Sequence, residues 1–224
     1  MLGLGNSVIS GGKTGYSGSY SLAFEGTDDY LDTGATFQSI IRGSFSISFW
    51  VKPTDGQPSS TERFFGSIEG VSHEDELKLD LGTNGVLSCW FEANGTNTYL
   101  VSSSAVWSDG ANDWKHIVLV VTKNTSGNTT LAFYANGSAV TAAAGGTMAD
   151  SVHNSFTTGN NLWIGGLNSN GTLTDAFTGN IDEFSIWNKA LSASEITDIY
   201  SGGSPENLLV HSANSNLVAW YRMG

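Results

Sequence analysis

Three groups of residues in this sequence have the types and spacing for chemistry. The first is a set of carboxylates. Asp182 and Glu183 lie in the run Ile181 to Trp187. Strict strand alternation puts Asp182 on one face with Phe184 and Ile186, and Ile181, Glu183, Ser185 and Trp187 on the other. A carboxylate on an apolar face must be paired, hydrogen-bonded or metal-bound. Asp182 therefore either caps a turn through backbone N–H groups or is a calcium ligand. Calcium takes about six to eight oxygens, several of them from carboxylates. Asp28 and Asp29 offer further oxygens, and read alone they form a polar turn with Asx bonding.

The second group is aromatic. A sugar site needs an exposed apolar ring with a few placed polar groups. Trp107 meets this in a loop-like stretch with Asp109, Asn112 and Asp113, and Tyr99 and Trp90 are further candidates. The alternative is that tryptophans are core, and Trp50, Trp163, Trp187 and Trp220 are read that way. The third group is Glu74, Glu76 and Asp80, which share one strand face but are interrupted by Lys78. They read as a solvated outer face. The histidines His73, His116, His153 and His211 are far apart, and none has a His or Cys at metal-ligand spacing. His116 reads as a satisfied sheet residue. No P-loop, G-x-S-x-G or G-x-G-x-x-G arrangement is present.

These residues must be positioned by strands. Phe45, Ile47, Phe49 and Val51 alternate with Ser44, Ser46, Ser48 and Trp50, which is the clearest strand in the chain. Leu77, Leu79 and Leu81 face inward, while Glu76, Lys78 and Asp80 face outward. Asn84-Gly85, Asn94-Gly95 and Asn136-Gly137 mark hairpin turns. Trp114 to Thr122 is a nearly continuous apolar run, as in a sheet centre. About a dozen short strands with no βαβ alternation predict an all-β fold of two packed antiparallel sheets. The exception is one short helix near 192–201. Ser192 is its N-cap, Glu195 completes a capping box, and Gly202, Gly203 and Pro205 end it. Residues 1–18 are Gly/Ser-rich and read as a flexible arm, with 19–224 as one domain.

The bulk numbers exclude several functions. The 224 residues carry a net charge of −12, from 21 acidic and 9 basic side chains. Phosphate backbones and anionic membranes are attracted by Lys/Arg patches, so nucleic acid and membrane are excluded as partners. Hydrophobic residues are 39% and aromatics 11%, enough for a core. Cys89 is the one cysteine, which excludes an intrachain disulfide, and its strand context reads as a small core residue. The first residues, M-L-G-L-G-N-S, show no basic or apolar signal region. The expectation is synthesis in a host cytoplasm without a signal peptide.

Several stretches, taken in order, carry a resemblance: S-Y-S-L-A-F-E-G-T-D-D-Y-L-D-T, F-S-I-S-F-W-V-K-P, W-K-H-I-V-L-V-V-T, L-A-F-Y-A-N-G and F-T-G-N-I-D-E-F-S-I-W-N-K-A-L-S-A-S-E-I. Together they resemble a laminin-G-like domain of the concanavalin A-like lectin/glucanase superfamily over roughly residues 19–200. The C-terminal N-L-V-A-W-Y-R-M-G is similar to the strand that opens such domains. With D-Y-L-D-T-G it resembles laminin-G-like proteins of bacteriophage virions. The resemblance implies a two-sheet antiparallel jelly-roll β-sandwich, non-enzymatic, that binds glycans or proteins and often carries a structural calcium. It also implies that the first and last strands lie near each other, which would bring Asp28 and Asp29 to Asp182 and Glu183. The superfamily includes glycoside hydrolases, but the interrupting Lys78 departs from their carboxylate motif. The expected role is a homo-oligomeric virion surface component, with other virion proteins or a cell-surface glycan as partner. A free carbohydrate-binding module or adhesin is the alternative, and a polysaccharide-cleaving enzyme comes third.

Overall fold

The alternation of β-branched and aromatic residues becomes sixteen strands among the described residues. The computed structural model describes residues 20–69 and 75–223. The expected arm at 1–18, His73 and Glu74 lie outside them. The strands are β1 (Leu22–Glu25), β2 (Leu31–Asp32), β3 (Phe45–Pro53), β4 (Glu62–Glu69), β5 (Asp75–Leu81), β6 (Leu87–Ala93), β7 (Thr96–Ser102) and β8 (Lys115–Thr122). They continue as β9 (Thr130–Ala135), β10 (Ser138–Val140), β11 (Ala142–Gly146), β12 (Trp163–Ile164), β13 (Leu167–Ser169), β14 (Thr172–Thr174), β15 (Thr178–Trp187) and β16 (Leu217–Tyr221). Three helices join them: α1 (Gln38–Ile41), α2 (Asp150–His153) and α3 (Ala193–Tyr200). Sequence reading missed α1 and α2 because a single turn has no period to detect. Among the described residues no helix is long and apolar enough to cross a membrane.

The strands form two sheets. Sheet A runs β1-β15-β3-β8-β9-β10, with β16 also paired to β15. Sheet B runs β11-β7-β6-β5-β4-β12-β2, with β13 and β14 attached beside β4. Pairings are antiparallel except β13 with β4. The inner faces meet in one apolar cluster that includes Phe45, Phe49, Phe64, Phe65, Leu77, Leu79, Phe91 and Phe184. Each fully buried Phe of this kind contributes about 1.5–3 kcal/mol. Cys89 is buried among them, as expected.

A second, smaller core lies on the outer face of sheet A. Val118, Val120 and Trp187 pack there against Leu191, Ile196 and Ile199 of the α3 region and against Leu208. The expected capping box is present. Ser192 accepts from the Glu195 backbone N–H, and the Glu195 carboxylate accepts from the Ser192 N–H at 2.9 Å. The tryptophans read as core are partly redistributed. Trp50 and Trp187 are buried, but on the outer side of sheet A, Trp163 is buried beneath Tyr30, and Trp220 is half-buried.

Strand β15 corrects the predicted alternation. β1 pairs with residues 178–181 and β16 with 184–187, end to end along one edge of β15. The register breaks between Asp182 and Ser185, and Glu183 takes φ +53°. This is a β-bulge, and its extra residue flips the side-chain parity. Ile181, Phe184 and Ile186 therefore all face the main core. Asp182 does not join them. It pairs with Trp50, on the outer side of sheet A.

Candidate functional site

Helix α3 and the segment after it cover much of the outer face of sheet A, whereas among the described residues the outer face of sheet B is left open. Its side chains are set in rows by register. Lys78 on β5 stands opposite Trp90 on β6, which stands opposite Tyr99 on β7, which stands opposite Gly145 on β11. The next row is Glu76, Glu92 and Asn97. An open groove of about 680 Å³ lies on this face. Trp90, Glu76, Lys78 and Glu92 form part of its lining, and Leu167, Ser169 and Thr174 of the β13–β14 hairpin form one wall.

Ion pairs fix the polar side chains. Arg63 donates from Nε to Asp80 at 2.8 Å and from its guanidinium to Asp175. Lys78 Nζ lies 2.5 Å from Glu76 Oε1. The Trp90 indole N–H donates to Glu92 at 2.9 Å, which fixes the ring's orientation. Burial pushes the Asp80 carboxyl up to about 6, against the opposing pull of Arg63 and Lys78. The outward carboxylates of β5 are thus not a fully solvated face, as the sequence reading held. Glu76 and Asp80 are 4% and 6% exposed.

Tyr99 buttresses the tryptophan. The two rings are parallel to within 5°, with centroids 5.4 Å apart. Tyr99 leans over Gly145, where a Cβ would fall 2.1 Å from its ring. Gly145 is a position where only the bare backbone leaves the ring its place. Gly145→Ala is expected to displace Tyr99, change the near-UV circular dichroism and weaken any ligand held at Trp90 severalfold. An unchanged near-UV spectrum would show that the ring has other room.

The other predicted residues are placed elsewhere. Trp107 is 1% exposed. It packs against Phe64, donates its indole N–H to the Asp113 carbonyl at 3.2 Å and has Lys115 over its ring. Its ring is part of the core, so the expectation of an exposed sugar platform there is corrected. Asp109 and Asn112 are exposed on the same loop and do not line the groove. The aromatic candidates that do come together are Trp90 and Tyr99. Sequence reasoning missed Arg63, Asp175 and Glu92, because their meeting depends on register between strands.

The four proposed calcium ligands are also separated. β1 does pair with β15, but antiparallel, with Leu22 opposite Ile181 and Glu25 opposite Thr178. Asp28 and Asp29 therefore lie past the Thr178 end, away from Asp182 and Glu183. Asp29 accepts from the Glu25 backbone N–H at 2.9 Å, and Asp28 from the Thr27 hydroxyl. The Asp182 carboxylate accepts from the Glu183 N–H at 2.8 Å, and Glu183 accepts from the Trp220 indole at 2.5 Å. Among the described residues no group of three or more His, Cys, Asp or Glu could hold a metal ion. The residues do not fit the expected calcium site.

Burial pushes Asp182 up to about 6, opposed by the Glu183 N–H and by Arg222. An acid raised in this way adds stability below its ordinary 3.8 and loses it as the pH rises through about 6. Asp182→Asn keeps an acceptor and removes the charge. It is expected to gain on the order of 2 kcal/mol in urea unfolding at pH 7.5 and nothing at pH 4. A loss at pH 7.5 would contradict this.

The three histidines among the described residues are held inside the fold. His116 lies 2.7 Å from the Ser48 hydroxyl, beside the stacked rings of Trp50 and Tyr200, and burial pushes it down to about 3. His153 bonds to Thr129 and the Ile41 carbonyl, and His211 to the Glu195 carbonyl.

Comparison with known proteins places this geometry. A laminin-G family model of the concanavalin A-like lectin/glucanases superfamily matches residues 25–197. No curated protein matches the chain. Among solved structures, the chain is similar to the CBM40 module of the Ruminococcus gnavus IT-sialidase. The TM-score is 0.63 at 16% identity, over 81% of this chain and 97% of that one. The same module bound to α2,3-sialyllactose gives the same TM-score and identity, over 81% and 96%. A heptameric SAP-like pentraxin from Limulus polyphemus is similar at TM-score 0.55 and 18% identity, over 93% and 94%.

Proposed function

Since the chain belongs to the concanavalin A-like lectin/glucanases superfamily, we propose that it is a non-enzymatic recognition module that holds a glycan on the open outer face of sheet B. One observation carries this. The fold covers one outer sheet face with a helix and leaves the other as a groove, with a half-buried tryptophan among oriented polar groups. Sugar sites are built this way: an apolar ring for the C–H face and a few fixed polar groups for the hydroxyls. The sialyllactose held by one similar module agrees in the class of ligand.

The groove chemistry supports binding rather than cleavage. Glu76 and Glu92 are cross-strand neighbours. Retaining hydrolysis needs two carboxyl groups about 5–5.5 Å apart, one of which gives and takes a proton. Here both are engaged, Glu76 by Lys78 and Glu92 by the Trp90 N–H. The test is a glycan array followed by a reducing-end assay on every glycan retained. The expected result is retention on at least one glycan with no release of reducing ends. Release that disappears in Glu76→Gln would replace the module with an enzyme.

The proposed setting is the one the sequence resemblance implies, a homo-oligomer on a virion surface docked to other virion proteins. Co-purification with particles tests it. A particle-free monomer would favour a free carbohydrate-binding module or adhesin.

A further inference from the structure

Resting on the glycan-binding reading, we infer that the groove selects neutral, hydroxyl-rich sugars and rejects acidic ones. A sugar carboxylate is recognised by a cation or by several N–H donors aimed at it. Both cations in this groove are already engaged. Arg63 is held between Asp80 and Asp175, and Lys78 lies against Glu76. What the groove adds beyond these ion pairs is acceptor capacity at Glu92, whose carboxylate takes one hydrogen bond, from the neutral Trp90 N–H. Glu76 and Glu92 stand directly opposite each other on adjacent strands. Like charges in that position are destabilising, and ionised carboxylates accept hydrogen bonds but cannot donate them.

The two oxygens of the half-buried Glu92 carboxylate match the vicinal hydroxyls of a neutral sugar ring, which donate. They oppose a sugar acid, which brings a further carboxylate and no donor at that group. Ser169 and Thr174 in the hairpin wall supply hydroxyls that donate or accept. Trp90 supplies the apolar surface, so the groove holds both halves of neutral-sugar recognition. The chain's net charge of −12 adds repulsion of an anionic ligand at long range. The likeness to a module bound to sialyllactose does not carry over at this point. At 16% identity it is a likeness of fold.

The test is isothermal titration calorimetry with a panel of neutral oligosaccharides (lactose, cellobiose, laminaribiose and N-acetyllactosamine) against 3′-sialyllactose, in low and in high salt. The best neutral sugar is expected to bind about tenfold or more tighter than 3′-sialyllactose in low salt, with the gap narrowing in high salt as the carboxylates are screened. Glu92→Gln is expected to weaken the neutral sugar about tenfold and to narrow the gap as well. Its melting temperature separates lost recognition from lost folding. Equal or tighter binding of 3′-sialyllactose overturns the inference and leaves the glycan-binding reading standing. So does a folded Glu92→Gln that binds as the parent does. Absence of heat with every sugar overturns the glycan-binding reading, and the inference with it.

Discussion

Trp90→Ala should lose glycan binding about 30-fold or more while the protein stays folded. Trp90 projects from β6 onto the open side of sheet B, and its strand neighbours Cys89 and Phe91 point into the core. Truncating it therefore opens no cavity between the sheets. Its ring is the aromatic surface in the groove lining, oriented by Glu92, buttressed by Tyr99 and approached by Lys78 Nζ at 5.9 Å from the ring centroid. Truncating a well-packed tryptophan at a recognition site costs about 2 kcal/mol or more. That is about 30-fold in affinity. Trp90→Phe should recover part of the loss, because it restores a ring but not the N–H to Glu92. Affinity by calorimetry and melting temperature, measured on the same samples, check this. Trp107→Ala is the useful contrast. Its ring is enclosed by the core, so its loss falls on stability, at about 3–5 kcal/mol.

Phe49→Ala should destabilise the fold by about 3–5 kcal/mol. Phe49 is fully buried on β3 at the centre of sheet A. Its ring centroid lies 5.5 Å from Phe64, 5.9 Å from Phe65 and 5.6 Å from Phe184. These contacts join β3 and β15 of one sheet to β4 of the other. The substitution removes the transfer free energy of a phenyl ring and leaves a cavity that two sheets cannot close by moving one side chain. Aromatic pairing adds a further increment. A domain is stable by about 5–15 kcal/mol in total, so the midpoint of urea unfolding should fall by a large fraction. A loss below about 1 kcal/mol would mean that the site relaxes in a way the packing does not suggest.

What was legible in the sequence was whatever depends on neighbouring residues. The inward leucines of β5, the alternation of β3, the Asn-Gly turns and the Ser192–Glu195 capping box are local patterns, and each appears in the structure. What was not legible depends on register and on insertions. The bulge at Asp182 and Glu183 adds one residue to β15, so alternation carried through it placed Asp182 on the wrong face. It lies where β1 gives way to β16 along one edge, a junction of chain segments far apart in sequence. The expectation that β1 lies beside the last strands held, but the antiparallel direction carried Asp28 away from Asp182.

The candidate site shows the same division. Trp107 looked exposed because its neighbours Ser108, Asp109 and Asn112 are polar, yet the Gly56 and Gly85 backbones close around it. Trp90 and Tyr99 were visible as candidates but not as a pair, since their meeting is set by the β6–β7 register. A signal for the missed residues does exist. The outward positions of β5 are charged, and those of β6 set Trp90 beside Glu92, where a merely solvated face needs no tryptophan.

The most direct measurement is a titration of the isotope-labelled protein with the best-bound glycan, following the seven tryptophan indole N–H signals by NMR. The Trp90 indole should shift most and saturate with the calorimetric affinity, while those of Trp107 and Trp187, enclosed in the two cores, stay in place. Saturable binding that leaves Trp90 unmoved and shifts signals elsewhere would place recognition on another surface and contradict the account.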